Sequence, residues 1–215
     1  MKLLSVNVGV PRDAVWRDEV VRTGIFKHPV AGPVAVRGVN LAGDAQADLS
    51  VHGGADKAVY GYPSEHYPYW CRWLGVDALP WGAFGENLTT EGMLETDVCI
   101  GDRFRIGTAE LELSQPRIPC AKLALRHERP DLPKHFLASG RSGFYFRIAR
   151  AGELSPGDAI ERVGSDPRGL TVAQVQSLAQ RAGDEALLRR AVEHPALAEA
   201  WRRDLAERLA RSRER

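Results

Sequence analysis

Ala109-Glu110-Leu111-Glu112-Leu113-Ser114-Gln115-Pro116-Arg117-Ile118-Pro119-Cys120-Ala121-Lys122-Leu123 joins a strand signal to a chemical one. Leu111 and Leu113 flank Glu112, the alternation of a strand with one buried face. Two prolines follow. Each fixes its own φ and restricts the residue before it, so 115–120 reads as a stiff, non-helical loop. Arg117 and Lys122 flank Cys120. Nearby cations raise the thiolate fraction of a cysteine, and the thiolate is what ligates a soft metal or attacks as a nucleophile. A buried structural cysteine fits the same residues.

Outward from this stretch, residues 1–164 read as short strands and turns. Val6 and Val8 alternate with Asn7, Phe144–Ile148 is aromatic-rich behind Ser142-Gly143, and Gly101-Asp102 and Gly157-Asp158 turn into Arg103–Ile106 and Ala159–Val163. A helix is expected over Ser64–Leu74, where Tyr67, Trp70, Cys71 and Leu74 share one face, and a short one near Lys122–His127. Many short strands with regular turns point to a barrel or folded sheet.

The pattern changes at Ser165-Asp166-Pro167-Arg168-Gly169, which reads as a linker. Thr171 with Gln174 three residues on forms a capping-box pattern, and Val172, Val175 and Leu178 supply an apolar stripe. Asp184 caps a second segment bearing Leu187, Leu188, Ala191 and Val192, stopped by Pro195. A third, Ala196–Arg211, carries Leu197, Ala200, Trp201, Leu205 and Leu209. Helices this short bury little alone, so they are expected to dock on each other, on the β domain or on a second subunit. Two domains follow: residues 1–164 and a three-helix extension, 165–215.

The 215 residues carry a net charge of +1 and are 44% hydrophobic. That is enough to bury a core, and no charge excess points to nucleic acid or an anionic membrane. No apolar run approaches a bilayer span and the N-terminus reads as a strand, so a cytoplasmic location is expected. Cys71, Cys99 and Cys120 form no C-x-x-C pair and are odd in number, which argues against a disulfide framework and a zinc ribbon. Cys71 and Cys99 sit in apolar patterns and read as core.

Three further segments could bind a ligand. His52-Gly53-Gly54-Ala55-Asp56-Lys57 sets an imidazole and a cation around two glycines whose N–H groups suit an anion; a plain glycine turn with a surface lysine fits too. In Phe84-Gly85-Glu86-Asn87-Leu88, the Asn87 amide can read a heterocycle edge or brace a turn. In Ser139-Gly140-Arg141-Ser142-Gly143-Phe144-Tyr145-Phe146-Arg147, Ser142, Gly143 and Arg147 suit an oxyanion, while Arg147 within a strand fits a surface ion pair equally well.

These segments, in this order, resemble the MOSC domain, the module named after the C-terminal part of molybdenum-cofactor sulfurases, and within it the stand-alone YiiM-type group. The resembling elements are Gly43-Asp-Ala-Gln-Ala-Asp48, His52–Tyr60, Phe84–Leu88, Gln115–Cys120, Ser142–Tyr145 and Gly157-Asp158, and Leu170–Val175 resembles the start of that group's three-helix extension. The resemblance implies a mainly β fold with helices, a partly closed β-barrel followed by a three-helix bundle. It implies a molybdenum cofactor (molybdopterin) whose metal is ligated by Cys120, and reduction of the N–O bond of N-hydroxylated compounds such as hydroxylaminopurines. His52, Lys57, Arg117 and Arg147 would then offset the charge of the pterin phosphate and dithiolene. The chain carries no flavin or iron–sulfur motif, so a separate flavin- or iron–sulfur-type reductase is expected to supply electrons. A homodimer is compatible with the helical extension. A non-catalytic cofactor carrier, or a cofactor-free thiol sensor, fits the same residues.

Overall fold

The structure is a computed structural model that describes residues 1–47, 53–180 and 184–213, with the side chains of 212 and 213 excepted. Its strands are β1 (Lys2–Val8), β2 (Arg12–Trp16), β3 (Glu19–Thr23), β4 (His28–Val30), β5 (Val34–Arg37), β6 (Asn40–Leu41) and β7 (Val59–Pro63). They continue with β8 (Leu88–Glu91), β9 (Arg103–Ile106), β10 (Ala109–Pro116), β11 (Phe144–Arg150), β12 (Gly152–Leu154) and β13 (Ile160–Gly164). The α-helices are α1 (Tyr67–Leu74), α2 (Ala121–His127), α3 (Leu132–Ser139), α4 (Val172–Ala179), α5 (Glu185–Val192) and α6 (Glu199–Arg213).

Eight strands form one sheet in the order β13-β9-β10-β11-β7-β8-β1-β4, in which only β7 and β8 run parallel. The sheet is open but curls back on itself. Lys2 bridges Ala159, Leu3 N–H donates to Asp158 O at 2.9 Å, and Ile160 N–H donates to Met1 O at 2.9 Å. The start of β1 thus meets the lead into β13, which makes the barrel partly closed. β5, β6 and β12 form a small second sheet, and β2–β3 is a hairpin. Among the described residues no helix is long and apolar enough to cross a membrane.

Two apolar clusters hold the sheet. One is built on Leu3, Val6, Phe104, Leu111, Leu113, Phe144 and Phe146; the other on Tyr62, Trp70, Phe84, Leu123 and Phe136. β10 contributes Ala109, Leu111 and Leu113 to the first. Burial alternates from Ala109 to Leu113, then every residue from Leu113 to Pro116 is buried, with the register shifting between Leu113 and Gln115. Each large side chain so buried contributes about 1.5–3 kcal/mol.

The expected helix over Ser64–Leu74 is a 3-10 turn at Ser64–His66 running into α1, with Pro68 in the first turn, where a missing N–H costs nothing. The capping box is present: Gln174 N–H donates to Thr171 Oγ1 at 3.1 Å, and Thr171 N–H donates to Gln174 Oε1 at 3.0 Å. Asp184 caps α5 through Leu187 N–H at 2.8 Å. The helices dock on the β domain. Val172, Val175, Leu178, Leu188, Leu197 and Leu205 belong to the same buried cluster as Leu111 and Phe146, with Trp201 packed against it. Main-chain bonds reinforce this, from Ile100 N–H to Leu170 O at 2.9 Å and from Ala198 N–H to Ser114 O at 3.1 Å. Cys71 and Cys99 are half-buried rather than core, and Cys99 bridges Thr171 at the junction with the extension.

Candidate functional site

Cys120 stands at the N-cap of α2 in extended conformation, half-buried, and faces a cleft of about 710 Å³, part of it open to solvent. The loop expected over 115–120 is shorter: Gln115 and Pro116 still pair with Tyr145 and Phe144 at the end of β10, and residues 117–120 lead from there to the cleft. Four cations and one carboxylate line the cleft: Lys27, Lys57, Arg117, Lys122 and Asp44. Tyr60, Asn87 and Tyr145 also line it.

Arg117 is 5% exposed, and among the described residues no carboxylate pairs with it. Its Nη1 donates to Tyr60 Oη at 3.4 Å, and its guanidinium lies 4.9 Å from the Tyr60 ring centroid and 5.3 Å from that of Phe136. Burial by itself would lower the Arg117 pKa, but Tyr60, Tyr145 and Cys120 around it outweigh that and push it up. Arg117 therefore stays charged. Burial also pushes the Tyr60 and Tyr145 hydroxyls up, against the pull of Arg117, so both stay protonated. A charge held in low dielectric without a counter-ion is costly unless an anion meets it.

Lys57 leaves the 3-10 turn Ala55–Lys57 half-buried, and burial lowers its pKa, opposed by Asp56. Gln46 fixes that loop. Its Oε1 accepts from Gly54 N–H at 2.9 Å, and its Nε2 donates to Lys57 O at 3.3 Å and Val39 O at 3.0 Å. The Gly54 φ of +92° is one that glycine adopts without strain.

Asn87 lines the cleft, but protein groups engage its amide. Nδ2 donates to Asp44 Oδ2 at 2.8 Å and Asn7 O at 3.3 Å, while Oδ1 accepts from Tyr60 N–H at 3.0 Å. Both donors are occupied, so the expected edge recognition gives way to bracing. Asp44 in turn accepts from Gly9 N–H at 3.0 Å and pairs with Lys27. Burial lowers the Lys27 pKa and Asp44 opposes it. Glu86, fully buried, accepts from Gly82 N–H at 2.9 Å, Phe84 N–H at 3.0 Å and the Tyr67 hydroxyl. These bonds fix the 82–87 turn.

Ser142 and Gly143 lie behind the cleft wall. Ser142 O accepts from Tyr60 Oη at 2.8 Å and Gly143 O accepts from Arg117 N–H at 3.3 Å, so this loop sets the residues that hold Arg117. Arg147 is elsewhere. It donates to Asp56 Oδ1 at 2.6 Å, Glu112 Oε1 at 3.2 Å and Ala196 O at 2.8 Å, tying the 55–57 turn, β10 and the helical extension together. Its place in an oxyanion site is corrected to a structural one: Arg147 shares a face of β11 with Tyr145 but sits two residues further along the strand, outside the cleft lining, where Asp56 and Glu112 engage it. Gly53 and Gly54 are not part of the described lining, and His52 lies outside the described residues. Lys27, Tyr60 and Tyr145 also join the cleft; Tyr60 and Tyr145 end the His52–Tyr60 and Ser142–Tyr145 elements without a role read for them, and no short motif marks Lys27.

The model of the MOSC domain matches residues 48–161, and that of the YiiM-like, 3-alpha helix domain matches residues 170–211. The chain belongs to the MOSC-domain family. Among curated relatives, the uncharacterized protein YflK of Bacillus subtilis is 40% identical over 201 residues, 93% of this chain and 90% of that protein. A Gibberella moniliformis protein named "Reductase" is 37% identical over 161 residues, 74% of this chain but 28% of that protein. The crystal structure of YiiM from Geobacillus stearothermophilus superposes with a TM-score of 0.80 at 39% identity, covering 97% of this chain and 98% of that one. The MOSC match spans Lys57, Asn87, Arg117 and Cys120, whereas Lys27 and Asp44 precede it.

Proposed function

We propose that this MOSC-domain chain is a molybdenum-cofactor-dependent reductase of N-hydroxylated compounds, with Cys120 as thiolate ligand to the metal. The observation that carries the reading is that Cys120 opens onto a cleft with four cations, of which Arg117 is buried without a carboxylate partner among the described residues. A soft sulfur donor beside cations fits a group that combines a soft metal with a phosphate and a dithiolene. Among the described residues no three His, Cys, Asp or Glu side chains gather as a metal site. On this reading Cys120 gives one ligand and the cofactor brings its own.

When bound, the cofactor supplies the two-electron reduction of the N–O bond. Overall, R–NHOH, two electrons and two protons give R–NH2 and water. The chain's own residues bind and orient. Arg117, Lys57 and Lys122 meet the anionic groups, and Tyr60 and the 142–143 carbonyls hold Arg117 in place. The Asn87–Asp44–Lys27 network fixes its own part of the lining. Electrons come from a separate flavin- or iron–sulfur-type reductase. The family and the relative named a reductase support oxidoreductase chemistry.

The test is turnover of a hydroxylaminopurine with a supplied electron donor, using protein from a host that makes molybdenum cofactor. Stoichiometric aminopurine formation supports the reading. Cofactor retained without turnover would assign the chain to a carrier role instead.

A further inference from the structure

Beside the cleft, two arginines converge on one aromatic ring. The Arg12 guanidinium lies 3.8 Å from the Phe26 centroid and that of Arg126 lies 5.0 Å from it. Each is anchored next to the cleft wall. Arg12 pairs in register with Thr23 across the β2–β3 hairpin, and Thr23 lines the cleft. Arg126 follows Lys122, also in the lining, by four residues on α2, which sets the two on one helix face. Arg12 is exposed and Phe26 and Arg126 are half-buried, so the pair faces solvent at the edge of the site.

Among the described residues, neither arginine has a carboxylate within ion-pair distance. Burial lowers the Arg126 pKa and the neighbouring Arg12 lowers it further, with only the buried Glu86 and Tyr67 opposing. Like charges held on one ring repel, and a shared dianion between or over them relieves that. Guanidinium forks match phosphate oxygens in geometry, and two of them match its charge.

We infer that Arg12 and Arg126, braced on Phe26, form a phosphate-binding site at the cleft edge that receives a phosphate monoester carried by the substrate. The inference rests on the cleft being the reaction site, and it refines the substrate class: an N-hydroxylated nucleoside monophosphate is held more tightly than the free base that carries the same reacting group. The reacting end enters toward Cys120 while the phosphate stays at the arginine pair.

Binding tests this without molybdenum or an electron donor, so it is separable from the redox reading. Adenosine 5′-monophosphate and adenosine are titrated into the purified protein by calorimetry at fixed salt. The monophosphate is expected to bind at least about tenfold tighter. Arg126→Gln and Arg12→Gln should each reduce that ratio by about tenfold, while Arg126→Lys retains part of it. Should Arg126→Gln misfold, Arg12→Gln on the exposed hairpin answers the same question. Equal affinity for the two ligands, no binding of either, or a ratio that responds to Arg117→Met alone would overturn the assignment. So would one nucleotide released per denatured holoprotein and lost in Arg126→Gln, because the arginines would then serve the cofactor.

Discussion

Arg117 rests on Tyr60: the guanidinium donates to the Tyr60 hydroxyl at 3.4 Å while lying 4.9 Å from the ring centroid. The same hydroxyl donates to Ser142 O at 2.8 Å, so a buried cation is aimed by a tyrosine that is aimed in turn by a loop carbonyl.

This arrangement separates stability from binding. Replacing a buried charge by an apolar side chain of similar volume is often neutral or stabilising. Arg117→Met should leave the melting temperature unchanged or raised, yet weaken cofactor retention at least about tenfold, since a charge-assisted bond contributes about 1.5–3 kcal/mol. Denaturation and pterin content measured on one preparation check both. A variant that unfolds and one that retains cofactor would each count against the role given to Arg117.

Arg147 predicts the opposite split. Arg147→Met removes the partner of Asp56 Oδ1 and frees Ala196 O, while Glu112 keeps Arg103 at 3.0 Å. Because the pairs are partly solvated, the expected cost is about 1–3 kcal/mol in urea denaturation, without loss of cofactor. Cofactor loss at full stability would return Arg147 to the site.

Gly143 has a φ of +62°, and a Cβ there would lie 2.5 Å from Gly61 O and 2.7 Å from Tyr62 Cδ2. The first contact is backbone, which cannot swing away. Gly143→Ala should therefore cost at least about 1–3 kcal/mol. It should also disturb the Tyr60–Arg117 arrangement, read as weaker anion binding in whatever fraction folds. A variant as stable as the parent would show that the loop relaxes freely.

The helical extension and the outer strands were legible in the sequence because their signals are local. Thr171 and Gln174 satisfy each other within one turn, and the Leu111/Leu113 alternation needs no distant partner. The non-helical lead into Cys120 was legible for the same reason, since its prolines act on neighbouring backbone, but Gln115 and Pro116 belong to β10 because Tyr145 and Phe144 pair with them. Arg147 was ambiguous because strand register sets Glu112 opposite it and Asp56 reaches it from a turn 91 residues away. Asn87 looked available because Asp44, which holds its amide, is 43 residues away. Lys27 enters the cleft through a chain crossing that no short motif records, and Tyr60, though it ends the His52–Tyr60 element, shows its role only once Arg117 lies against it. α3 was missed outright: Pro133 in its first turn reads as a turn signal, and the helix is held by Leu132 and Phe136 in the second core.

His127 gives a pH dependence. Burial pulls its pKa down to about 4, with Arg126 and Arg117 adding to the shift against the bond from Nε2 to Ala83 O at 2.9 Å. Folding thus favours the neutral ring. The contribution is complete above the ordinary histidine value of 6.5 and is lost as the pH falls from there toward 4. Its full size is at most about 3 kcal/mol. His127→Gln should flatten the stability profile over that window relative to the parent, measured by denaturation at several pH values. Parallel profiles would contradict the assignment.

The most direct measurement is molybdenum and pterin content of the parent chain and Cys120→Ser, purified side by side from a host that makes molybdenum cofactor. A hydroxyl barely changes volume but is a poor ligand for a soft metal. The expected result is near-stoichiometric molybdenum in the parent and little in Cys120→Ser, at equal melting temperature, with Cys71→Ala and Cys99→Ala retaining metal. Molybdenum held equally by Cys120→Ser and the parent would contradict the ligand assignment.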